Sequence, residues 1–189
     1  MKTKDILFPV PSALVVSGAG NDSNIITVAW IGIVGSKPPA LGISLQKNRY
    51  SLSLIKQTQE FTVNIPRQGD FEKVDYCGMV SGKNTNKFTD TGFTRMNGCK
   101  VKVPIIKECP VNIECRVMRE VDLSDWTLVI GEILEVNIDE YCLDDSGKVS
   151  VAKADPLVYI PTIREYWSIG RKLADSFKIG ENKGINRAL

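Results

Sequence analysis

The chain has 189 residues, 43% hydrophobic and 24% charged, with a net charge of +2 and no histidine. That length and balance describe one soluble globular domain with its own core, and they give no electrostatic footprint for nucleic acid. The missing histidine excludes Ser-His-Asp and Cys-His nucleophilic catalysis, His-bearing zinc sites and His-ligated haem, so demanding chemistry would rest on a cofactor.

At the start, Lys2 and Lys4 precede the apolar stretch "ILFPVPSALVV", which has the outline of a secretory signal. Asp5, Pro9 and Pro11 argue against a helical apolar region there, and no A-x-A site follows, so the segment reads as mature protein entering its first strand. No apolar run approaches the roughly 20 residues that span a bilayer. Strands are then expected at Ser12–Ser17, across "IITVAWIGIVG" (Ile25–Gly35), at Leu41–Gln46 and at Glu60–Pro66, with turn-forming "GAGNDSN" and "SKPPA" as punctuation. A helix is expected over Ser51–Thr58, capped by Ser51, with Leu52 and Ile55 on one face. A second covers Asp70–Val80, where Phe71, Val74 and Met79 fall near helical spacing.

Further on, "VNIECRVMRE" alternates, with Val111, Ile113, Cys115 and Val117 on one face and Asn112, Glu114 and Arg116 on the other. "LEVNID" (Leu134–Asp139) repeats the pattern of a strand with one buried face. Many strands with a few short helices predict a mainly β domain, a closed or partly closed antiparallel barrel over 1–175, followed by a fraying tail over 176–189. The five cysteines are odd in number and contain no C-x-x-C pair. This fits reduced thiols in a cytoplasmic protein, with neither a disulfide frame nor a metal site.

Three stretches bear on chemistry. "CGMVSGKNTNKF" (Cys77–Phe88) has the Gly and Lys density of an anion-holding loop, yet three residues, not four, separate Gly78 from Gly82-Lys83, and Asn84 follows the Lys. A P-loop is thereby excluded, and the segment alone fits an anion cradle or a polar surface loop equally well. "GAGNDS" has Gly18 and Gly20 of the dinucleotide fingerprint, but Ser23 takes the third glycine position and a β-rich run follows, which fits a hairpin turn instead. In "QKNRYSLSLI", Arg49 and Ser51 stand at a helix start, where free amides and the helix dipole favour an anion. A solvated Arg and a simple cap explain the same residues. The strand "NIITVAW" could present amides, the Thr27 hydroxyl and the small Ala29 to a flat ring, or be plain core.

In order, "FPVPSALVVS", "NIITVAW", "PPALGISLQKNRYS", "EFTVNIP" and "YCGMVSGKNTNKF" resemble the flavin reductase-like family of FMN-binding split barrels, particularly its flavoredoxin-type members. The resemblance runs from Ile6 to Val136, and "DPLVYI" with "YWSIG" (Asp155–Gly170) matches the family's ending. It implies a single-domain, Greek-key-like split β-barrel holding FMN. By resemblance, Thr27, Val28, Ala29 and Trp30 line the isoalloxazine, and Asn48, Arg49 and Ser51 hold the phosphate. Cys77 and Gly78 would lie beside the ring, with Ser81, Gly82, Lys83, Asn84 and Lys87 around ribityl and phosphate. Family members often carry Arg and Asp at the positions of Lys83 and Asn86, which makes Lys83 a weaker phosphate ligand than Arg49. The resemblance further implies a homodimer and an oxidoreductase fed by NADH, NADPH or a redox partner protein. The alternative is a non-catalytic FMN carrier, sensor or interaction module on the same barrel.

Overall fold

Short β-branched runs separated by turn residues assemble into an antiparallel sheet that curls on itself. The computed structural model describes residues 5–176. Its strands are β1 (Val10–Pro11), β2 (Ala13–Ser17), β3 (Asn24–Val28), β4 (Ile31–Ser36), β5 (Pro39–Gln46), β6 (Glu60–Ile65), β7 (Arg95–Met96), β8 (Ile105–Ile106), β9 (Val111–Leu123), β10 (Trp126–Ile138), β11 (Leu157–Ile160) and β12 (Glu165–Ser168). The α-helices are α1 (Tyr50–Thr58), α2 (Phe71–Met79), α3 (Lys87–Thr91) and α4 (Val151–Ala154). Apart from Ser176, the tail expected over 176–189 lies outside the described residues. No described helix is long and apolar enough to cross a membrane.

The main sheet has seven strands in the order β3-β2-β6-β9-β10-β5-β4. Its two edges, β3 and β4, are consecutive in the chain, so the barrel is split there. The sequence suggests one long strand over Ile25–Gly35; the chain instead breaks at Ala29–Trp30 to pass from one edge to the other. The Ser44 amide donates to the Trp30 carbonyl at 2.9 Å and ties this crossover to β5. A smaller sheet, β1-β11-β12, places the C-terminal hairpin beside the first strands.

Strand β2 shows why the runs read as apolar without alternation. Ala13 and Val15 enter the barrel core with Ile26, Ile43, Phe61 and Val63. Leu14 and Val16 face a second core with Val74, Cys77, Phe88 and Val103, under α2, α3 and the segment that follows. Both faces are covered, so both are apolar. The same cover corrects two expectations. In α2 the buried residues are Val74 and Cys77, while Phe71 and Met79 are exposed. On β9 the polar face is only partly solvated: Arg116 is exposed, but Asn112 and Glu114 are buried, Glu114 completely at 0% exposure.

Glu114 is satisfied there. Its carboxylate accepts from the backbone amides of Cys99, Lys100 and Val101 at 2.8, 2.6 and 3.0 Å, and from Asn137 Nδ2 at 3.0 Å. Burial pushes its pKa up, but these donors outweigh that and hold it below the usual carboxylate value. A depressed folded pKa stabilises the fold at neutral pH, and this contribution is lost as pH falls through the folded value. Glu114→Gln turns an amide group toward N–H donors and should cost about 2–4 kcal/mol at pH 7. Urea denaturation of the two proteins should show that gap narrowing in acid; equal stability at pH 7 would contradict the role.

Candidate functional site

The open side of the barrel carries a trough with two connected basins. The apolar basin is walled by Ile26, Thr27, Val28, Ala29 and Trp30 from β3 and the crossover, and by Ser44, Leu45 and Gln46 from β5. Asp75, Gly78 and Met79 of α2 line it as well, together with Trp126, Tyr159 and Tyr166. The polar basin is lined by Asn24, Asn48, Arg49, Tyr50, Ser51, Val80, Ser81, Gly82 and Lys87. Ile26, Arg49 and Gly78 belong to both, so a ligand can run from one into the other.

Among the described residues no Asp or Glu lines the polar basin. Lys87 is only 3% exposed, and its Nζ donates to the carbonyls of Ile25 and Cys77, each at 2.7 Å. Carbonyls solvate an ammonium without neutralising it. Burial lowers the Lys87 pKa from 10.5 to about 8, and the Arg49 charge pushes it the same way. At this spot α1 begins. Arg49 occupies the N-cap position with no side-chain cap bond, so the helix's first amides are not capped by a side chain. Ser51 was expected to cap; it stands inside the first turn, and its Oγ accepts from Asn24 Nδ2 at 2.8 Å. That leaves the Ser51 hydroxyl proton free to donate. Two cations, uncapped helix amides and a hydroxyl therefore converge where no carboxylate answers them. This is an anion site.

The apolar basin is built for a flat ring. Among its walls Trp30 and Trp126 stand 5.7 Å apart between centroids, and Tyr159 and Tyr166 5.3 Å apart. The Thr27 hydroxyl donates to the Val74 carbonyl and docks α2 against β3. Tyr166 donates its phenol proton to Asp75 Oδ1 at 3.1 Å.

The family model described as "Flavin reductase like domain" matches residues 6–168. The chain belongs to the flavin reductase-like family. An uncharacterized protein of Archaeoglobus fulgidus is 40% identical over 132 residues, 70% of this chain and 74% of that protein. Flavoredoxin of Desulfovibrio vulgaris (Miyazaki F) superposes with a TM-score of 0.90 at 35% identity, covering 95% of this chain and 97% of that one. Flavoredoxin from Methanosarcina acetivorans gives 0.87 at 31% identity, over 97% and 98% of the two chains.

Within this flavin reductase-like barrel, Thr27, Val28, Ala29 and Trp30 gather in the apolar basin, and Asn48, Arg49, Ser51, Ser81, Gly82 and Lys87 in the polar one. Gly78 lies where the basins join. Lys83 faces an adjoining polar hollow shared with Asn24, Tyr50 and Gly82, and Asn84 is exposed, its amide closing a turn onto Ser81. Cys77 does not reach the trough. It is fully buried in the second core, and burial pushes its thiol up to about 11, against the opposing pull of Lys87. The sequence reading missed Asn24, Asp75, Trp126 and Tyr159. Asn24 also explains Gly82: a Cβ there would lie 1.9 Å from Asn24 Oδ1, so only glycine lets the loop settle on it.

The Lys87 shift has a definite sign. Its folded pKa of about 8 is below its ordinary 10.5, so the unfolded chain holds the extra proton between those values, and stability rises with pH there. Wild type should gain about 2 kcal/mol on Lys87→Met between pH 7 and pH 10 without added anion. Inorganic phosphate, by pairing with the ammonium, should flatten that slope. A slope absent from the start would mean Lys87 is not a desolvated cation.

Proposed function

We propose that the chain binds FMN and acts as an FMN-dependent oxidoreductase, carrying hydride or electrons from NADH, NADPH or a protein donor. The observation that carries this reading is the union of a cationic, carboxylate-free basin with an aromatic-walled apolar one through Ile26, Arg49 and Gly78. One phosphate at one end and one flat ring at the other match FMN in charge and shape. When bound, FMN supplies the redox chemistry at its ring, so the chain need hold no acid, base or nucleophile of its own.

The chain's residues then have distinct tasks. Arg49 offers a planar two-pronged donor to the phosphate, Lys87 a fixed ammonium, and Ser51 its free hydroxyl proton. Thr27 docks α2 on β3 and so fixes the width of the ring site, while the Trp and Tyr pairs supply aromatic walls.

Charge-assisted bonds contribute about 1.5–3 kcal/mol each, so Arg49→Ala should weaken FMN binding roughly 10- to 150-fold. Riboflavin, which lacks the phosphate, should barely change, and Arg49→Lys should recover only part of the loss. Equal weakening of FMN and riboflavin, or of neither, would remove Arg49 from the phosphate site. Anaerobic bleaching of the FMN-loaded protein by NADH or NADPH supports the reductase; a yellow colour that neither bleaches supports a carrier fed by another protein.

A further inference from the structure

The apolar basin has a polar corner that the phosphate reading does not use. Asp75 belongs to this basin alone, whereas Arg49 stands where the two basins meet. Tyr166 spends its phenol proton on Asp75 Oδ1 at 3.1 Å. Burial first, and then the Asp75 charge, push the Tyr166 phenol well up, so the bond persists at neutral pH. No Lys or Arg lies within ion-pair distance of Asp75 among the described residues. The pair therefore presents acceptors, the second Asp75 oxygen and the Tyr166 oxygen lone pairs, beside the Tyr159 ring. It is also held in place, because α2 carries Asp75 while Tyr166 sits on β12 against its cross-strand partner Tyr159, with ring centroids 5.3 Å apart.

A carboxylate at this place discriminates. A ring bearing an N–H or O–H gains a hydrogen bond to Asp75, while a ring bearing a carboxylate meets a like charge there. We propose that the Asp75–Tyr166 pair selects the second ligand of this cleft: a neutral or cationic ring carrying a hydrogen-bond donor, with anionic rings turned away. The inference rests on the reading above that FMN takes the phosphate basin and the adjoining ring site.

Benzamide and benzoate are near-isosteric probes of this selection. Titrated into the FMN-loaded protein and read by the flavin absorbance change, benzamide should bind at least about 10-fold tighter than benzoate. Asp75→Asn should bring the two within about threefold, chiefly by admitting benzoate. Tyr166→Phe leaves the Asp75 charge in place, so benzoate should stay excluded. The proposal is overturned if benzoate binds as well as benzamide, if neither binds, or if Asp75→Asn leaves the ratio intact. It is equally overturned if Asp75→Asn weakens FMN itself tenfold, since the pair would then serve the flavin ring. Failure of FMN to bind would overturn the flavin reading instead; the same benzamide-to-benzoate ratio would then be read from Trp30 and Trp126 fluorescence in the wall of the basin.

Discussion

Lys87 rests its ammonium group on two backbone carbonyls, Ile25 from the edge strand β3 and Cys77 from the end of α2. This contact joins the consecutive helices α2 and α3 to the distant strand β3, and it does so with a charge that carbonyls do not neutralise. The arrangement is stable only because carbonyl dipoles replace part of the lost hydration, and the lowered pKa records what they do not replace. Arg49 adds a second positive charge to the same basin. Among the described residues neither cation forms an ion pair with a carboxylate, so the most favourable completion is an anion from outside. The trough, its loop over Gly82 and the bare start of α1 are arranged around that vacancy of charge.

The split in the barrel makes the site possible. Because the sheet's edges, β3 and β4, are consecutive, the crossover at Ala29–Trp30 sits at the lip of the opening instead of inside a ladder. Side chains from β3, the end of β5 and the end of α2 then face one space. It brings together the cations Arg49 and Lys87, aromatic and aliphatic walls, and the acceptors of Asp75 and Tyr166. A ligand that is anionic at one end and flat in the middle satisfies the first two regions. What it leaves uncovered meets the third.

Features set by local chemistry were legible in the sequence, and features set by packing between distant segments were not. The strands at β2, β5 and β6 announced themselves as β-branched runs between turn residues, and Arg49 and Ser51 as a helix start. The break between β3 and β4 carries no turn residue; it follows from the geometry of the whole sheet. Cys77 looked like a ring neighbour because it precedes Gly78, but adjacent helical residues point about 100° apart, so one faces the trough and the other the core. Lys87 was identified as a binding residue, yet nothing in "NTNKF" reveals that β3 and α2 close over it. Glu114 sat in an alternating strand whose polar face looked solvated, and only the covering segment made it a buried anchor. Asn24, Asp75 and Trp126 come from three separate regions and share no motif.

The central claim is that the buried, unpaired Lys87 awaits a dianion. Calorimetric titration of FMN into the protein at pH 8.5, in buffers of different ionisation enthalpy, counts the protons taken up on binding. With Lys87 near 8 in the free protein and returned toward its ordinary 10.5 by the phosphate, uptake should be roughly three-quarters of a proton per FMN, and none for riboflavin. FMN binding with no proton uptake at that pH would contradict the account.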